Sequence, residues 1–337
     1  MKGYIPPQEL VQANIRLDTN EAPYTLLGGA VEPAALNLYK TKARDELLQA
    51  LAAKHGVHED EILLGAGSSQ LLDSAISAFG NSGVAAPTPT YGQYRHLAAK
   101  YRAPYADVAT NNDFRLDPIA FGQLGHDETL KILCNPNNPT GLPETAETID
   151  RIARSSNGKT LVDEAYFEFA EPNISSAVEL TDDREILVIL RTFSKAYGAA
   201  GLRLGYAISS VSNIQALRAN TPLYPTGDLQ HQGGLKLLQQ TAAMRTAVGE
   251  LIAQRETMKD EMRKLGCEVV DGHGNFLLVK PPALIQSEGV RARLLDSGIA
   301  VRSMSDQPRV SPYFRVTIGS PEQNACFLQY LSDIVQG

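Results

Sequence analysis

The sequence predicts a three-layer α/β fold with a mostly parallel central sheet, followed by a smaller α+β C-terminal domain. Short apolar runs of strand length alternate with helical patterns between residues 62 and 190, which is typical of a parallel sheet covered by helices. A second group of strand-like runs follows residue 264. The 337 residues also exceed the usual size of one domain. We therefore predict an N-terminal arm (1–30) associated with the small domain, a large domain (31–228), and a connecting helix with the small domain (229–337).

The first half of the large domain contains a candidate anion site at a helix start. The arm is irregular and should be extended, and helical periodicity begins near Thr41 and stops at Gly56. Ile62-Leu-Leu64 then reads as a buried strand, and Gly65-Ala-Gly-Ser-Ser69 leads from it into a helix. Free backbone N–H groups at such a helix start bind anions.

The remaining strands of the large domain are short apolar runs that end in polar motifs. The candidates are residues 83–87, 105–109, 130–134, 160–163 and 186–190, with helices at about 91–101 and 144–154. Parallel sheets bind ligands beyond the carboxyl ends of their strands. The sequence therefore predicts a site at that edge of the sheet.

The C-terminal part begins with a long helical pattern from residue 228 to about 264. Gly233, Gly234 and Gly249 are candidate interruptions of this pattern. The strand-like runs that follow are residues 268–270, 275–279, 299–301 and 314–318, with helices at about 290–295 and 321–335. These elements predict the small α+β domain.

Composition excludes several classes of function. A formal charge of -7 argues against nucleic acid or an anionic membrane as the main partner. No run approaches the ~18 apolar residues that span a bilayer. The three cysteines are widely spaced and form no disulfide or zinc motif, so we expect a reducing cytoplasm. His55 and His58 lack partners at metal-binding spacing, and we expect no metal site.

A loop rich in small residues carries the clearest chemical signal. It reads Arg191-Thr-Phe-Ser-Lys-Ala-Tyr-Gly-Ala-Ala-Gly-Leu-Arg-Leu-Gly205. Lys195 follows Ser194 and precedes a small-residue segment with Gly198 and Gly201, and Arg203 comes eight residues later. This arrangement suits an amine that forms an imine beside a phosphate. This combination points to pyridoxal 5'-phosphate. The alternative is a solvated loop with an ordinary surface lysine.

Groups that would hold the ring of this cofactor stand near other strand ends. The ring nitrogen needs a buried carboxylate, and Asp163 closes a strand candidate. Asn138 and Tyr166 are candidate donors to the phenolic oxygen, and Tyr91 could cover a ring face. The alternatives are a strand-end cap for Asp163, turn chemistry for Asn138 and a core position for Tyr91.

The phosphate of the cofactor would be held by Ser68, Ser69, Ser194 and Arg203. The Gly65-Ala-Gly67 segment alone is a weak signal. It lacks the third glycine of a dinucleotide fingerprint and the lysine of a P-loop, so neither an NAD-linked oxidoreductase nor a P-loop is favoured.

Taken in order, these motifs resemble those of the fold type I aminotransferases. The loop matches the Schiff-base segment S-K-x-x-x-x-x-G-x-R-x-G, and the resemblance to the histidinol-phosphate aminotransferase branch extends from Leu17 to Val335. It implies that Lys195 binds the cofactor as a Schiff base and then shuttles a proton between substrate and cofactor. It also implies Asp163 and Tyr166 as the other catalytic residues.

The same resemblance assigns the cofactor contacts and a partner subunit. It implies that Asp163 binds the pyridine nitrogen, that Tyr166 and Asn138 bind the 3-hydroxyl group, and that Arg203 binds the phosphate. Leu36-Asn-Leu-Tyr39 resembles the N-x-Y motif, whose tyrosine reaches the cofactor phosphate of the neighbouring subunit. A homodimer with a shared active site is therefore implied.

Substrate binding is implied for four further residues. Arg315 resembles the small-domain arginine that holds the acidic group of either substrate, and Arg302 resembles a second arginine associated with histidinol phosphate. Tyr24 and Asn20 of the arm would close over the site. An arginine on an alternating strand can instead simply face solvent. The chain departs from the usual pattern at Ser303, at residues 307–312 and at residues 22–25.

The resemblance implies transfer of an amino group from histidinol phosphate, or a similar amine with an acidic group, to 2-oxoglutarate. Other readings stay open within the enzyme class: an aminotransferase for aromatic or other amino acids, and a threonine-phosphate decarboxylase. From another class, the chain could be a non-catalytic regulator that binds pyridoxal phosphate, although it has no basic segment for DNA binding.

Overall fold

The computed structural model describes residues 13–28, 38–39, 41–125, 128–155, 157–170, 174–180 and 185–336, and it confirms the predicted α/β fold. The helices are α1 Lys42–His55, α2 Ser68–Phe79, α3 Gln93–Lys100, α4 Pro118–Gly122, α5 Ala146–Ala153, α6 Val211–Ala219, α7 Asp228–Gln239, α8 Thr241–Lys264, α9 Ser287–Asp296 and α10 Pro321–Gln336. The strands are β1 Ile15–Leu17, β2 Ile62–Gly65, β3 Val84–Thr88, β4 Tyr105–Ala109, β5 Leu130–Cys134, β6 Thr160–Asp163, β7 Leu187–Thr192, β8 Gly205–Ile208, β9 Glu268–Val269, β10 Phe276–Lys280, β11 Ile299–Ser303 and β12 Phe314–Thr317. Among the helices of the described ranges, none has both the length and the apolar character that a membrane crossing requires.

A seven-stranded sheet forms the centre of the large domain, in the order β2-β8-β7-β6-β5-β3-β4. Every strand pair from β4 to β7 is parallel, and β8 alone runs antiparallel to its two neighbours. β5, β6 and β7 are buried along their whole length, as expected for strands covered by helices on both faces. Their carboxyl ends at Cys134, Asp163 and Thr192 therefore lie along one edge of the sheet.

The second sheet has the order β1-β11-β12-β10-β9. β1 comes from the arm and pairs in parallel with β11, whereas the other three pairs are antiparallel. Residues that follow β1 in the chain are thus carried to the carboxyl edge of the large sheet. The domain boundaries at residues 30 and 228 stay predictions, and residues 29–37 lie outside the described ranges.

The long helical connection differs from its prediction. Two helices, α7 and α8, meet at Gln240, which ends α7 with φ of -98° and ψ of 23°. The expectation that glycines interrupt the helix was wrong, because Gly233 and Gly234 lie inside α7 and Gly249 lies inside α8. A Cβ atom at Gly233 would lie 2.9 Å from Leu202 Cδ1. The glycines of α7 therefore allow this helix to approach the large domain closely.

Candidate active site

A cavity of about 250 Å³ opens at the carboxyl edge of the seven-stranded sheet. The arm, the large domain and the small-domain strands β11 and β12 all contribute to its wall. The structure brings together twelve of the predicted site residues here: Asn20, Ser68, Ser69, Tyr91, Asn138, Asp163, Tyr166, Ser194, Lys195, Arg203, Arg302 and Arg315. Residues up to 295 positions apart in the chain therefore share one cavity.

Asp163 lies buried at the end of β6 and provides a carboxylate in the cavity wall. Its Oδ2 atom accepts a hydrogen bond from the Tyr94 hydroxyl at 3.0 Å, and Oδ1 accepts one from the Ala165 N–H at 3.3 Å. Burial disfavours the charged form and raises the pKa of Asp163 to about 6, which the Tyr94 hydrogen bond opposes. A cationic ring nitrogen beside this carboxylate would offset the cost of its burial.

Lys195 lies on the loop that follows β7, and its side chain is half-buried. Its Nζ atom donates to the backbone carbonyls of Asn20 at 2.9 Å and Thr19 at 3.1 Å. Burial, followed by the positive charge of Arg315, lowers the pKa of Lys195 to about 8. More of this amine is therefore neutral and nucleophilic near neutral pH than is usual for lysine.

The hydroxyl of Tyr166 receives hydrogen bonds from two asparagine side chains. Asn20 Nδ2 donates to it at 3.1 Å and Asn138 Nδ2 at 3.3 Å. Burial raises the pKa of Tyr166 above the usual value for tyrosine. The hydroxyl thus keeps its proton and can donate it to a further acceptor in the cavity.

The start of α2 and the Arg203 guanidinium form an anion cradle. Gly67 caps α2 with φ of 78° and supplies no side-chain cap, so the first N–H groups of the helix remain available to a ligand. A Cβ atom at Gly67 would lie 2.6 Å from Arg203 Nη2. Ser68, Ser69 and Ser194 add hydroxyl groups to the same cavity. This donor set fits a phosphate group.

Two arginines lie directly opposite each other on neighbouring strands of the small domain. Arg302 of β11 and Arg315 of β12 are paired in register, and both line the cavity. Arg315 donates to Asn138 Oδ1 and to the Asp18 carbonyl, each at 2.7 Å. Arg302 Nη2 lies 3.7 Å from Asp306 Oδ2. Like charges in directly opposed positions repel each other, so a bound anion would stabilise this pair.

Two predicted site residues lie outside the wall of the cavity. Tyr24 donates its hydroxyl to the Ala196 carbonyl at 2.8 Å, and it packs against the lysine loop at Gly198. Tyr39 is 73% exposed, and its ring stacks on Tyr224 with centroids 4.4 Å apart. Roles for these tyrosines in binding substrate or a partner's cofactor stay predictions.

The sequence did not single out Tyr94, Asp18 or Asp306 as site residues. Tyr94 stands three positions after Tyr91, and this helical spacing could have indicated that the two rings share a face. Asp18 and Asp306 line the cavity from irregular segments. Neither aspartate belongs to a regular helical or strand pattern that would have marked it in the sequence. Long-range packing brings each of them to the site.

This two-sheet architecture with a lysine at the carboxyl edge is that of the fold type I transferases. The solved structure of histidinol-phosphate aminotransferase from Sinorhizobium meliloti in complex with pyridoxal-5'-phosphate matches it with a TM-score of 0.87 at 22% identity, over 99% of this chain and 96% of that one. L-threonine-O-3-phosphate decarboxylase from Porphyromonas gingivalis matches with a TM-score of 0.79 at 20% identity, over 96% of this chain and all of that one. These two likenesses establish the fold.

Sequence comparison identifies the family. The model for aminotransferase class I and II matches residues 2–331. The chain is 31% identical to histidinol-phosphate aminotransferase 1 of Archaeoglobus fulgidus over 95% of its own length and 99% of the relative's. It is 32% identical to histidinol-phosphate aminotransferase of Ruminiclostridium cellulolyticum, over 98% and 96% of the two chains. The chain belongs to the class I and II aminotransferase family and is a transaminase.

Proposed function

We propose that the chain transfers the amino group of histidinol phosphate, or a closely similar phosphate-bearing amine, to 2-oxoglutarate with the help of pyridoxal phosphate. The observation that carries this proposal is the Arg302 and Arg315 pair in the same cavity as Lys195. A pair of guanidinium groups suits a dianionic phosphate. The curated relatives named above support the choice of amine.

The residues around the cavity fit the cofactor group by group. Asp163 would hold the ring nitrogen, and Tyr166 with Asn138 would hold the phenolic oxygen. Tyr91 would cover a ring face. The anion cradle, which comprises the start of α2, Arg203 and the hydroxyls of Ser68, Ser69 and Ser194, would hold the phosphate. When bound, pyridoxal phosphate supplies an electron sink for negative charge on the substrate carbon.

Lys195 would serve both as the covalent anchor of the cofactor and as the group that moves the substrate proton. Its Nζ atom has a pKa of about 8, so it can take up and release a proton near neutral pH. The Thr19 and Asn20 carbonyls accept hydrogen bonds from the same Nζ atom. They would hold the amine whenever it is not attached to the cofactor.

A threonine-phosphate decarboxylase is the second candidate. The arginine pair would accept the phosphate of that substrate as well, and the P. gingivalis decarboxylase has the same fold. The two candidates differ in the bond that breaks, because a decarboxylase releases carbon dioxide and a transaminase yields a carbonyl product. Aromatic and other amino acids are further candidate donors for the transaminase.

We also propose a homodimer in which Tyr39 reaches the cofactor phosphate of the partner subunit. Exposed apolar side chains support this proposal. Tyr39 stacks on Tyr224, and Leu223 beside it is 83% exposed. Such a group of exposed apolar side chains is typical of an interface between protein chains.

Donor profiling tests the proposed substrate. With 2-oxoglutarate as acceptor, we expect kcat/KM for histidinol phosphate to exceed kcat/KM for histidinol, which lacks the phosphate. The expected ratio is roughly ten- to a hundredfold, which corresponds to the loss of a hydrogen bond to a charged group. Arg302→Ala should remove most of this preference, and Lys195→Ala should abolish transamination while the fold persists. Equal turnover of the two donors, or release of carbon dioxide from threonine phosphate as the main reaction, would refute the assignment.

A further inference from the structure

We infer that Tyr94 is a positioning residue that keeps the Asp163 carboxylate ionised, and thereby keeps the ring nitrogen of the bound cofactor protonated. The inference rests on the proposed cofactor. It concerns a fully buried side chain that does not line the cavity. Tyr94 therefore acts on the cofactor through a neighbouring residue rather than by direct contact.

The contact between the two side chains is direct and shielded from water. Tyr94 Oη donates to Asp163 Oδ2 at 3.0 Å, and both side chains are buried. The Ala165 N–H donates to the other carboxylate oxygen. Each oxygen of a carboxylate has two lone pairs, so these two donors leave room for a ring nitrogen on the cavity side.

The position of Tyr94 follows from its helix. Tyr94 lies in the first turn of α3 and Tyr91 lies two residues before this helix, and their rings meet edge to face at 5.6 Å. The residue proposed to cover the cofactor ring is thus packed against the residue that donates to Asp163. Burial, together with the nearby Asp163 charge, holds the pKa of the Tyr94 phenol well above 10. Tyr94 therefore acts as a permanent donor.

Several other groups act on Asp163. Burial has the largest effect and raises the pKa of this carboxyl. The hydrogen bond from Tyr94 has the largest effect in the opposite direction and lowers the pKa. Glu164, the next residue, raises the pKa further, and Lys195 lowers it.

Cys134 of β5 and Tyr166 also interact with Asp163 electrostatically, but burial holds the pKa of each above its ordinary value, so both stay neutral. Loss of the Tyr94 donor would therefore make Asp163 a stronger base. The proton between Asp163 and the ring nitrogen of the bound cofactor would then move from the nitrogen toward the carboxylate.

Tyr94→Phe tests this inference in the holoenzyme. The substitution keeps the ring and removes only the donor. We expect the dissociation constant of pyridoxal phosphate to rise roughly tenfold, as for loss of one hydrogen bond to a charged group. The ¹⁵N resonance of ring-labelled cofactor should shift toward that of an unprotonated pyridine. The value of kcat should also fall roughly tenfold, whereas KM for the amino donor should change less than about twofold.

Tyr206→Phe is the matched control. Tyr206 is also buried in the large domain, and its hydroxyl bonds His55 Nε2 at 2.9 Å. Its loss should lower thermal stability without changing the ¹⁵N resonance of the cofactor. If Tyr94→Phe also leaves that resonance and the cofactor affinity unchanged, Tyr94 has only a packing role and the inference is overturned.

A double-mutant cycle with Asp163→Asn shows whether Tyr94 acts through Asp163. In the Asp163→Asn background, Tyr94→Phe should change cofactor affinity less than about twofold, because its target carboxylate is gone. If the losses of cofactor affinity in the two single variants add up in the double variant, the inference is overturned. The double variant removes both the donor and the carboxylate of the buried contact. Because neither group is left buried without its partner, the loss of folding stability is limited. Wild-type protein that binds no pyridoxal phosphate would instead refute the proposed function itself.

Discussion

Lys195 differs from the surface lysines in its protonation as well as in its position. Burial lowers its pKa to about 8, whereas the hydrogen bond from exposed Lys42 to Glu46 raises the pKa of Lys42 above 10.5. Only the neutral amine reacts with carbonyl reagents. At pH 8, about half of Lys195 is neutral, compared with less than about 1% of Lys42.

This difference predicts selective labelling of cofactor-free protein. Reductive methylation with formaldehyde and cyanoborohydride should modify Lys195 with a midpoint near pH 8, because the neutral fraction rises with pH through the pKa. Peptide mass spectrometry measures the modified fraction at each position, and Lys42 serves as the control in the same sample. A Lys195 profile that follows that of Lys42 would contradict the lowered pKa.

Asn20 shows why single residues of the arm escape prediction from sequence. It adopts φ of 54°, a left-handed conformation that asparagine tolerates better than most residues. Its N–H donates to Thr317 Oγ1, its side chain donates to Tyr166, and its carbonyl accepts from Lys195. The carbonyl contact has no sequence signature, since every residue carries the same group. The sequence indicated Asn20 only as part of a covering arm.

At the scale of elements, continuous apolar runs made the strands of the large sheet predictable. β2 to β7 lie within two residues of their predicted positions, because strands buried on both faces need uninterrupted apolar sequence. The three-residue β1 and the five-residue α4 were not predicted, since elements this short carry no full period of hydrophobicity. The break at Gln240 has no glycine or proline to mark it. Tertiary packing sets that boundary.

The start of α2 provides a prediction at the scale of an element. Gly67→Ala places a Cβ atom against the Arg203 guanidinium at a position with φ of 78°. The flexible arginine can move away, but it then leaves the anion cradle. We expect a loss of roughly 1–3 kcal/mol in stability, because φ of 78° with ψ of 165° is a backbone region essentially restricted to glycine, and roughly tenfold weaker cofactor binding from the displaced guanidinium. Thermal unfolding and a cofactor titration measure the two effects.

Gly56→Ala is the control for Gly67→Ala. Gly56 caps the end of α1 with φ of 64°, and a Cβ atom added there would have no neighbour within 4 Å. The variant should lose roughly 1 kcal/mol of stability from its left-handed backbone and keep full affinity for the cofactor. Equal weakening of cofactor binding in the two variants would mean that the cradle does not depend on close contact between α2 and Arg203.

For the whole molecule, the arm joins the two sheets at the cavity. β1 extends the small sheet, and residues 18–20 then reach Arg315 on one side and Lys195 on the other. Asn275 of the small domain donates to the same Asn20 carbonyl that accepts from Lys195. Lys195 follows a strand of the large sheet, whereas Arg302 and Arg315 belong to the small sheet. One short segment of the chain therefore fixes the position of the lysine relative to the arginine pair.

The exposed apolar group around Leu223 leads to a prediction about assembly. Leu223 and Tyr224 line a second cavity together with Tyr39, and burying one leucine contributes roughly 1.5–3 kcal/mol. A two-fold interface contains each residue twice, so Leu223→Glu should weaken the proposed dimer by roughly a hundredfold or more. Analytical ultracentrifugation should find a dimer for the wild type and a monomer for the variant at micromolar concentration.

The same variant tests whether the partner subunit completes the active site. If Tyr39 contacts the partner's cofactor phosphate, monomeric Leu223→Glu protein should bind pyridoxal phosphate more weakly than the wild type, and raising the protein concentration should restore the affinity by mass action. Leu284→Glu is the control, because Leu284 is fully exposed and does not line the cavity that contains Leu223; it should leave both assembly and affinity unchanged. A monomer with wild-type cofactor affinity would show that each chain builds its cofactor site alone.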